Sequence, residues 1–270
     1  MKYSIHKRGE IAMKNILKIM LMMITIYTIT GSAVYAAEIP VSDQDQLITS
    51  RDWTEISNLQ DEMKKEEPDA TIDYDKALKV YVDCNLIKLQ TADTKKLTSA
   101  LESANYVWVI PFKMEKTYGM FTVAKGLPLS EEAKSVLTKA EQEEVKNHAG
   151  KWMITETAEH TVEPYYDILL EKREALSDCT RVVLVGSQPG MRQPVALGMD
   201  DETARIWISL GYQYPVMEKI PETQNVESGV YSFDSVAEIS DTYIEDSEVS
   251  TGAGVQSRSS MKYVAGIGII

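Results

Sequence analysis

Hydrophobic and polar positions alternate, or recur at helical spacing, through residues 76–215, and they predict a run of short elements. The stretch ALKVYVDCNLIKLQ alternates as a strand with a kink at Asp83-Asn85. Residues 106–112, YVWVIPF, are rich in β-branched and aromatic residues, and a loop ending at Gly119 turns this strand into MFTVAKG as a hairpin. Further strands are predicted at KWMITETAE, at RVVLVG and in a closing hairpin, PVALGMDDETARIWISL.

A helix-starting residue precedes each of four predicted helices between these strands. These residues are Asp93, Ser130, Thr138 (with Glu141 as the second half of a capping box) and Pro164 in a first turn. The resulting order is β-α-β-β-α-α-β-α-β-β-β. Because hairpins outnumber the helical crossovers that parallel pairs need, we expect an α+β fold: one domain over residues 76–220, with a mixed, mostly antiparallel sheet and helices on one face.

The residues before this core, 37–75, show apolar positions at spacings that suit an amphipathic helix broken once near Thr49-Ser50. Those positions are Leu47, Ile48, Trp53, Ile56, Leu59 and Met63. Pro68 and Asp69 end the pattern. We interpret residues 37–75 as an N-terminal helical extension.

Residues 1–36 have the layout of a secretory signal peptide. A basic region ends at Lys18, an apolar run covers 19–29, and small residues at Val34 and Ala36 predict cleavage before Ala37. The apolar run is shorter than the roughly 20 residues of a spanning helix. Met13 also begins a compact signal peptide by itself. The sequence therefore predicts an exported protein, and the lack of an Asn-x-Ser/Thr sequon favours a bacterial source.

The C-terminal part changes in composition from Pro221 onwards. Between Glu227 and Ser250 there are seven acidic residues, six serines and no Lys or Arg, so residues 221–262 are predicted to be a disordered acidic linker. The final YVAGIGII, residues 263–270, could be a last β-strand or the start of a membrane span. Its two glycines and the Lys262-Tyr263 pair favour the start of a C-terminal membrane anchor that continues beyond Ile270.

The charge balance limits the possible partners. Without residues 1–36, which hold five Lys/Arg and one Glu, the 28 basic and 41 acidic residues fall to 23 and 40, a net charge of −17. Such a surface repels nucleic acid and anionic lipid headgroups. We therefore expect a protein or small-ligand partner outside the cell, no nucleic acid, and membrane contact only through the C-terminal anchor.

Cys84 and Cys179 are the two cysteines of the chain. An even pair in an exported protein permits a disulfide, which would close a long loop. Each cysteine follows an aspartate at a predicted element edge, so two free, small buried side chains are the alternative.

The loop VVLVGSQPGMRQP is the strongest candidate for chemistry, because Ser187 follows a predicted buried strand. The order Gly-Ser-Gln-Pro-Gly lacks the Gly-x-Ser-x-Gly spacing of a nucleophile elbow, and no helix is predicted after it. As a binding loop it would offer Ser187, Gln188 and Arg192, the arginine to an anion. We predict no catalytic residue, because no nucleophile–base spacing is present.

Neither a cofactor nor a metal site is predicted. His148 ends a predicted helix, and His160 stands among glutamates without an HExxH or EF-hand pattern. The tryptophans and tyrosines could line a ligand cleft. However, Trp108, Trp152 and Trp207 each lie in a strand pattern, where core packing accounts for them.

These observations favour an exported, membrane-tethered extracytoplasmic domain with a non-enzymatic interaction or sensing role. Two other classes stay open: a secreted hydrolase without a recognisable motif, and an extracytoplasmic small-ligand-binding protein. An enzyme should bring two or more polar side chains together in a concave pocket, whereas an interaction domain needs only a surface patch or a sheet edge.

Overall fold

A computed structural model describes residues 39–160, 163–186, 188, 191, 193–211, 215–221 and 225–246, all within the compact unit that spans residues 39–270. The strands in these ranges are β1 (Thr71–Ile72), β2 (Leu78–Tyr81), β3 (Tyr106–Lys113), β4 (Tyr118–Lys125), β5 (Trp152–His160), β6 (Arg181–Val185), β7 (Val195–Met199), β8 (Ala204–Ser209), β9 (Asn225–Glu227) and β10 (Val230–Ser232). The α-helices are α1 (Trp53–Ile56), α2 (Gln60–Glu66), α3 (Thr94–Ser103), α4 (Glu131–Val136), α5 (Lys139–His148), α6 (Tyr165–Glu171) and α7 (Phe233–Asp246). From β2 to β8 the order is the predicted β-α-β-β-α-α-β-α-β-β-β.

All of the described strands belong to one mixed, mostly antiparallel sheet, so the α+β fold class is confirmed. The strand order is β5-β4-β3-β2-β6-β7-β8-β10-β9, and β1 pairs with the far end of β3. Neighbouring strands are antiparallel except β2 and β6, where Val80 pairs with Leu184 and Tyr81 with Val185 in parallel register. The sheet thus consists of two antiparallel halves, β1–β5 and β6–β10, joined at the β2–β6 pair.

The helices cover both faces of the sheet, whereas the sequence predicted helices on one face. On β6, Val183 and Val185 pack in one core under α3 and α7, while Val182 and Leu184 pack in another core against α6. Successive strand residues point to opposite faces, so these two cores lie on opposite sides of the sheet. The near-continuous apolar sequence of β6, RVVLV, is typical of a strand buried on both faces.

Residues 47–75 of the N-terminal segment pack on the same face as α3 and α7 and form a third core with β3 and β4, whereas Ile39 and Val41 belong to the core against α6 on the opposite face. The innermost members of this third core have at most 1% of their surface exposed and include Leu47, Ile56, Met63, Trp108, Ile110, Phe112 and Phe121. Tyr106 of β3 contacts both this core and the core under α3 and α7. Residues 39–75 are therefore an integral layer of the domain.

Capping residues set the helix starts that the sequence indicated. The Asp93 carboxylate accepts a hydrogen bond from the Lys96 backbone N–H at 3.0 Å, and Leu97 and Leu101 of the helix it caps are completely buried. Ser130 caps α4, and the Thr138–Glu141 capping box begins α5. The chain bends after β2, as predicted, at Asp83, whose backbone has a positive φ of 60°.

Residues 225–246 form β9, β10 and α7, which corrects that part of the predicted linker at 221–262, whereas residues 247–262 lie outside the described residues. β9 and β10 extend the sheet beyond β8, and α7 packs on the core under α3. Val230, Phe233 and Val236 are buried, and Ser240 is completely buried one helical turn later. Phe233, Val236 and Ser240 recur at spacings of three and four residues on the buried side of α7, and the average composition hides this stripe because acidic residues occupy other positions of the helix.

The predicted signal peptide, residues 1–36, and the predicted anchor, residues 263–270, both lie outside the described residues. Within the described ranges, no helix combines the length and apolar character that a membrane crossing requires.

Candidate functional site

Of the three binding-loop residues that the sequence suggested, the structure describes only Gln188. Ser187 and Arg192 lie outside the described residues, so their binding role stays a prediction. Gln188 is described and is buried, with 3% of its surface exposed. Its amide oxygen accepts the Leu86 backbone N–H at 3.0 Å, and its amide nitrogen donates to the carbonyls of Cys84 at 2.6 Å and Gly186 at 2.9 Å. Both amide hydrogens are used within the protein, so Gln188 fastens two loops together.

The two cysteines are free, buried thiols, which is the second of the two alternatives that the sequence left open. Cys84 belongs to the core under α3 and α7, whereas Cys179 belongs to the core against α6 on the opposite face. The sheet separates them, which prevents a bridge. Burial raises the pKa of each thiol to about 11, with a further contribution from Asp83 for Cys84 and from Asp178 for Cys179.

A buried polar cluster lies on the sheet face under the N-terminal segment, at the β2–β6 junction. Its centre is Asp45, whose side chain is 2% exposed. The carboxylate accepts hydrogen bonds from the hydroxyls of Ser42 at 2.6 Å and Tyr81 at 2.7 Å. It also lies 3.4 Å from the Lys79 ammonium and 3.1 Å from the Arg181 guanidinium. Burial by itself would raise the pKa of Asp45, but the two hydrogen bonds and the two cations outweigh burial and lower it.

Lys79 extends from the middle of β2 into a box of aromatic rings. Its ammonium lies 4.7 Å from the centroid of Tyr106, 5.3 Å from that of Trp108 and 5.6 Å from that of Tyr81. Such distances are typical of cation–π contacts. Burial lowers the pKa of Lys79, and the neighbouring Asp45 only partly offsets this effect.

Asp52, 7% exposed, is a second buried carboxylate beside the aromatic box. It accepts hydrogen bonds from the Tyr106 hydroxyl at 2.8 Å and from the Trp108 indole N–H at 3.1 Å. The exposed Arg51 guanidinium lies 3.9 Å away. Asp45 and Asp52 both come from the N-terminal segment, whereas their partners come mostly from the sheet. This cluster therefore fixes the N-terminal segment to the sheet.

Sequence reasoning missed this cluster, although one signal was present. Lys79 is flanked on both sides by apolar residues in a strand whose four residues are all buried. A lysine in such a position requires a buried partner. The sequence contains many acidic residues that could supply it, and nothing local selects Asp45.

An open cleft lies at the outer side of the N-terminal segment, where β1 begins. We call it the Trp53 cleft; its volume is about 510 Å³, and it is lined by Ile48, Trp53, Thr71, Ile72, Asp73, Tyr74, Asp75 and Lys113. Trp53 and Tyr74 form an edge-to-face pair, with ring centroids 5.2 Å apart and an angle of 72° between the ring planes. Three local features position these walls: the start of α1, the β1–β3 pairing of Thr71 with Lys113, and the helical turn Tyr74–Lys76.

The carboxylates of the Trp53 cleft are only weakly engaged by the protein. Asp73 has 41% of its side chain exposed and lies 3.9 Å from the Lys76 ammonium, which contacts Asp167 more closely, at 2.8 Å. Asp75 is exposed and forms no ion pair with any other described residue. Lys113, the cation of the cleft, lies 5.8 Å from the centroid of the Tyr118 ring. The cleft thus combines apolar walls with two accessible negative charges.

Neither a group of metal-ligating side chains among the described residues nor a similar known protein was found to assist in assigning the site. Over the described ranges, no three His, Cys, Asp or Glu side chains are grouped as metal ligands. The chain matches no protein-family model, and no significant similarity links it to a curated protein or to a solved structure.

Proposed function

We propose that this protein is an exported, membrane-tethered extracytoplasmic domain with a non-enzymatic interaction or sensing role, and that the Trp53 cleft is its recognition surface. The signal-peptide pattern of residues 1–36 and the apolar C-terminal residues support export and tethering. The described side chains support a binding role rather than catalysis. The buried cations Lys79 and Arg181 both pair with Asp45 beneath the N-terminal segment, and none of the three lines the cleft.

The observation that carries this proposal is the composition of the cleft. Ligand sites are typically concave and mostly apolar, with a few placed polar groups, and occupy about 300–1,000 Å³. The Trp53 cleft has this character. A catalytic site would add a nucleophile beside a base, or an acid–base pair, within hydrogen-bond reach. In the Trp53 cleft, Asp73, Asp75 and Lys113 form no hydrogen bond or ion pair with one another.

Binding without turnover is the expected result for the purified mature chain. The indole N–H signal of Trp53 in a two-dimensional NMR spectrum, assigned by Trp53→Phe, reports occupation of the cleft directly. We expect a panel of peptides, saccharides, amines and carboxylates to include ligands that move this signal, and none that the protein converts. Hydrolysis of an ester, peptide, glycoside or phosphate by the purified chain would contradict the proposal.

Export is tested separately, on the chain expressed with residues 1–36 in a bacterial host. N-terminal sequencing of the protein recovered outside the cytoplasm should begin at Ala37. Ala36→Asp should block processing, because the cleavage pocket accepts small side chains, whereas Ala37→Ser should leave processing intact. A full-length chain that stays in the cytoplasm would contradict the export part of the proposal.

A further inference from the structure

From the chemistry of the Trp53 cleft we infer its ligand: a lysine side chain on a basic segment of a partner protein. The inference rests on the binding role proposed above and names the chemistry of what binds. Apolar surface and negative charge occur side by side in this cleft, and each matches one part of a lysine side chain.

The apolar walls match the aliphatic stem. Ile48, with 38% of its surface exposed, is one of the few large apolar side chains of the described domain that remain open to solvent. It lines the cleft together with the partly buried Ile72 and Trp53. Lysine buries its four methylene groups along apolar surface while its charge stays near water. These walls therefore fit the stem of a lysine better than a compact polar ligand.

The charged end of the lysine has two kinds of partner in the cleft. The exposed Asp75 carboxylate and the weakly paired Asp73 carboxylate offer negative charge. The Trp53–Tyr74 pair offers aromatic surface, which attracts cations by its quadrupole. An anionic ligand would face both carboxylates with only Lys113 to balance them. A neutral ligand would leave both carboxylates unused.

The surrounding charge favours the same occupant. The chain without residues 1–36 carries a net charge of −17, which attracts a basic segment and speeds its association. Lys76 does not compete strongly for the site, because its ammonium lies 2.8 Å from Asp167 and 3.9 Å from Asp73. The accessible carboxylates of the cleft and the net negative charge of the whole protein thus both favour a cationic ligand.

The test is an NMR titration of the full mature chain with a capped five-residue peptide that carries one lysine between glycine and serine residues. We expect the Trp53 indole signal to shift with a Kd on the order of 1 mM, weak because the contacts are few and exposed. The same peptide with Nε-acetyl-lysine should bind at least about fivefold more weakly, because it lacks the charge. Butylammonium, which has the stem and charge but no peptide backbone, should also bind more weakly than the peptide.

Variants locate the interaction. Asp73→Asn with Asp75→Asn should weaken peptide binding about tenfold, because two exposed carboxylates lose their charge. Glu102→Gln with Glu174→Gln, which also removes two negative charges but at exposed positions outside the cleft, should leave the Kd unchanged. Unchanged melting temperatures establish that the variants are folded.

Two results would overturn the inference: equal binding of the lysine and acetyl-lysine peptides, or unchanged binding by the double variant. Butylammonium binding as tightly as the peptide would point to a free amine and would overturn the assignment to a partner segment. If the lysine peptide fails while an uncharged ligand moves the Trp53 signal, this inference is wrong and the proposed function stands. If no ligand moves that signal, both are wrong.

Discussion

Replacing Asp45 with asparagine removes the negative charge that lies 3.4 Å from the Lys79 ammonium and 3.1 Å from the Arg181 guanidinium, and it keeps the shape of the side chain. Both cations then remain in the interior without that partner. The Lys79 side chain is 10% exposed and the Arg181 side chain 17%, so both remain largely shielded from water. Breaking a buried pair in this way costs about 3–5 kcal/mol.

The expected loss for Asp45→Asn lies at the lower end of that range, about 3 kcal/mol, because the asparagine oxygen still accepts a hydrogen bond from Tyr81 or Ser42. For a domain of this size, this corresponds to a fall in Tm of about 6–12 °C. Urea unfolding followed by tryptophan fluorescence measures the free energy of unfolding and the m-value together. An unchanged m-value indicates that the native state has kept its compactness.

A matched control tests whether the loss of stability comes from breaking a buried ion pair rather than from breaking any ion pair. Glu143 and Lys146 form an exposed ion pair at 2.7 Å on α5, and Glu143→Gln should cost less than about 0.5 kcal/mol. Adding Lys79→Met to Asp45→Asn removes the uncompensated ammonium. The double variant should therefore be more stable than Asp45→Asn alone. A loss below about 1 kcal/mol for Asp45→Asn, or strict additivity of the two changes, would refute this account of the cluster.

The Asp45 carboxylate also contributes to the pH dependence of the free energy of unfolding at acidic pH. Its pKa is lower in the folded protein than in the unfolded chain, so its stabilising contribution is complete above the unfolded value, near about 4. The contribution is lost as the pH falls from there through the folded pKa. Asp45→Asn should therefore unfold with a weaker dependence on pH below about 4 than the wild-type chain, in urea titrations at successive pH values.

Three further outcomes follow from buried groups described above. Gln188→Leu leaves three backbone groups without their buried hydrogen-bond partner and should cost about 2–4 kcal/mol in urea unfolding, whereas little change would contradict its role in fastening the two loops. Phe233→Ala should cost about 3–5 kcal/mol because α7 belongs to the core, whereas Val226→Ala, at a position 57% exposed, should change stability by less than about 0.5 kcal/mol. Thiol counting on denatured, unreduced protein should find two thiols per chain, and fewer than two would indicate a bridge. In the native state both thiols should react slowly, because Cys84 and Cys179 are buried and their pKa values are raised.

The element order was readable from the sequence because its signals are local. Asp93 and the Thr138–Glu141 box cap helices through residues three positions away, and the alternation around Trp108 spans only a few residues. The β3–β4 and β7–β8 pairs correspond to the two predicted hairpins. Helices on the second face were not predicted, because periodicity marks a strand as buried without saying what covers each side.

The candidate site was far less predictable. Trp53 was recognisable as a possible cleft residue, but its pairing with Tyr74 depends on how the chain folds back after α2. The partnership of Asp45 with Arg181 joins residues 136 positions apart, and one sequence holds no signal for such a contact. The strands and helix of residues 225–246 were not predicted, because the average composition outweighed the helical spacing of Phe233, Val236 and Ser240 in our interpretation.

The single parallel pair in the sheet has a consequence for the order in which the protein folds. The antiparallel half that contains β2–β5 can form by closing hairpins and other local connections. The β2–β6 junction, by contrast, must close a loop of about 100 residues, which is a slow step. Asp45 enters the polar cluster at that same junction, and during synthesis its arginine partner emerges only after 136 further residues. Closing the junction is therefore a late, long-range event, and the N-terminal segment must wait for β6 before its buried carboxylate is fully paired.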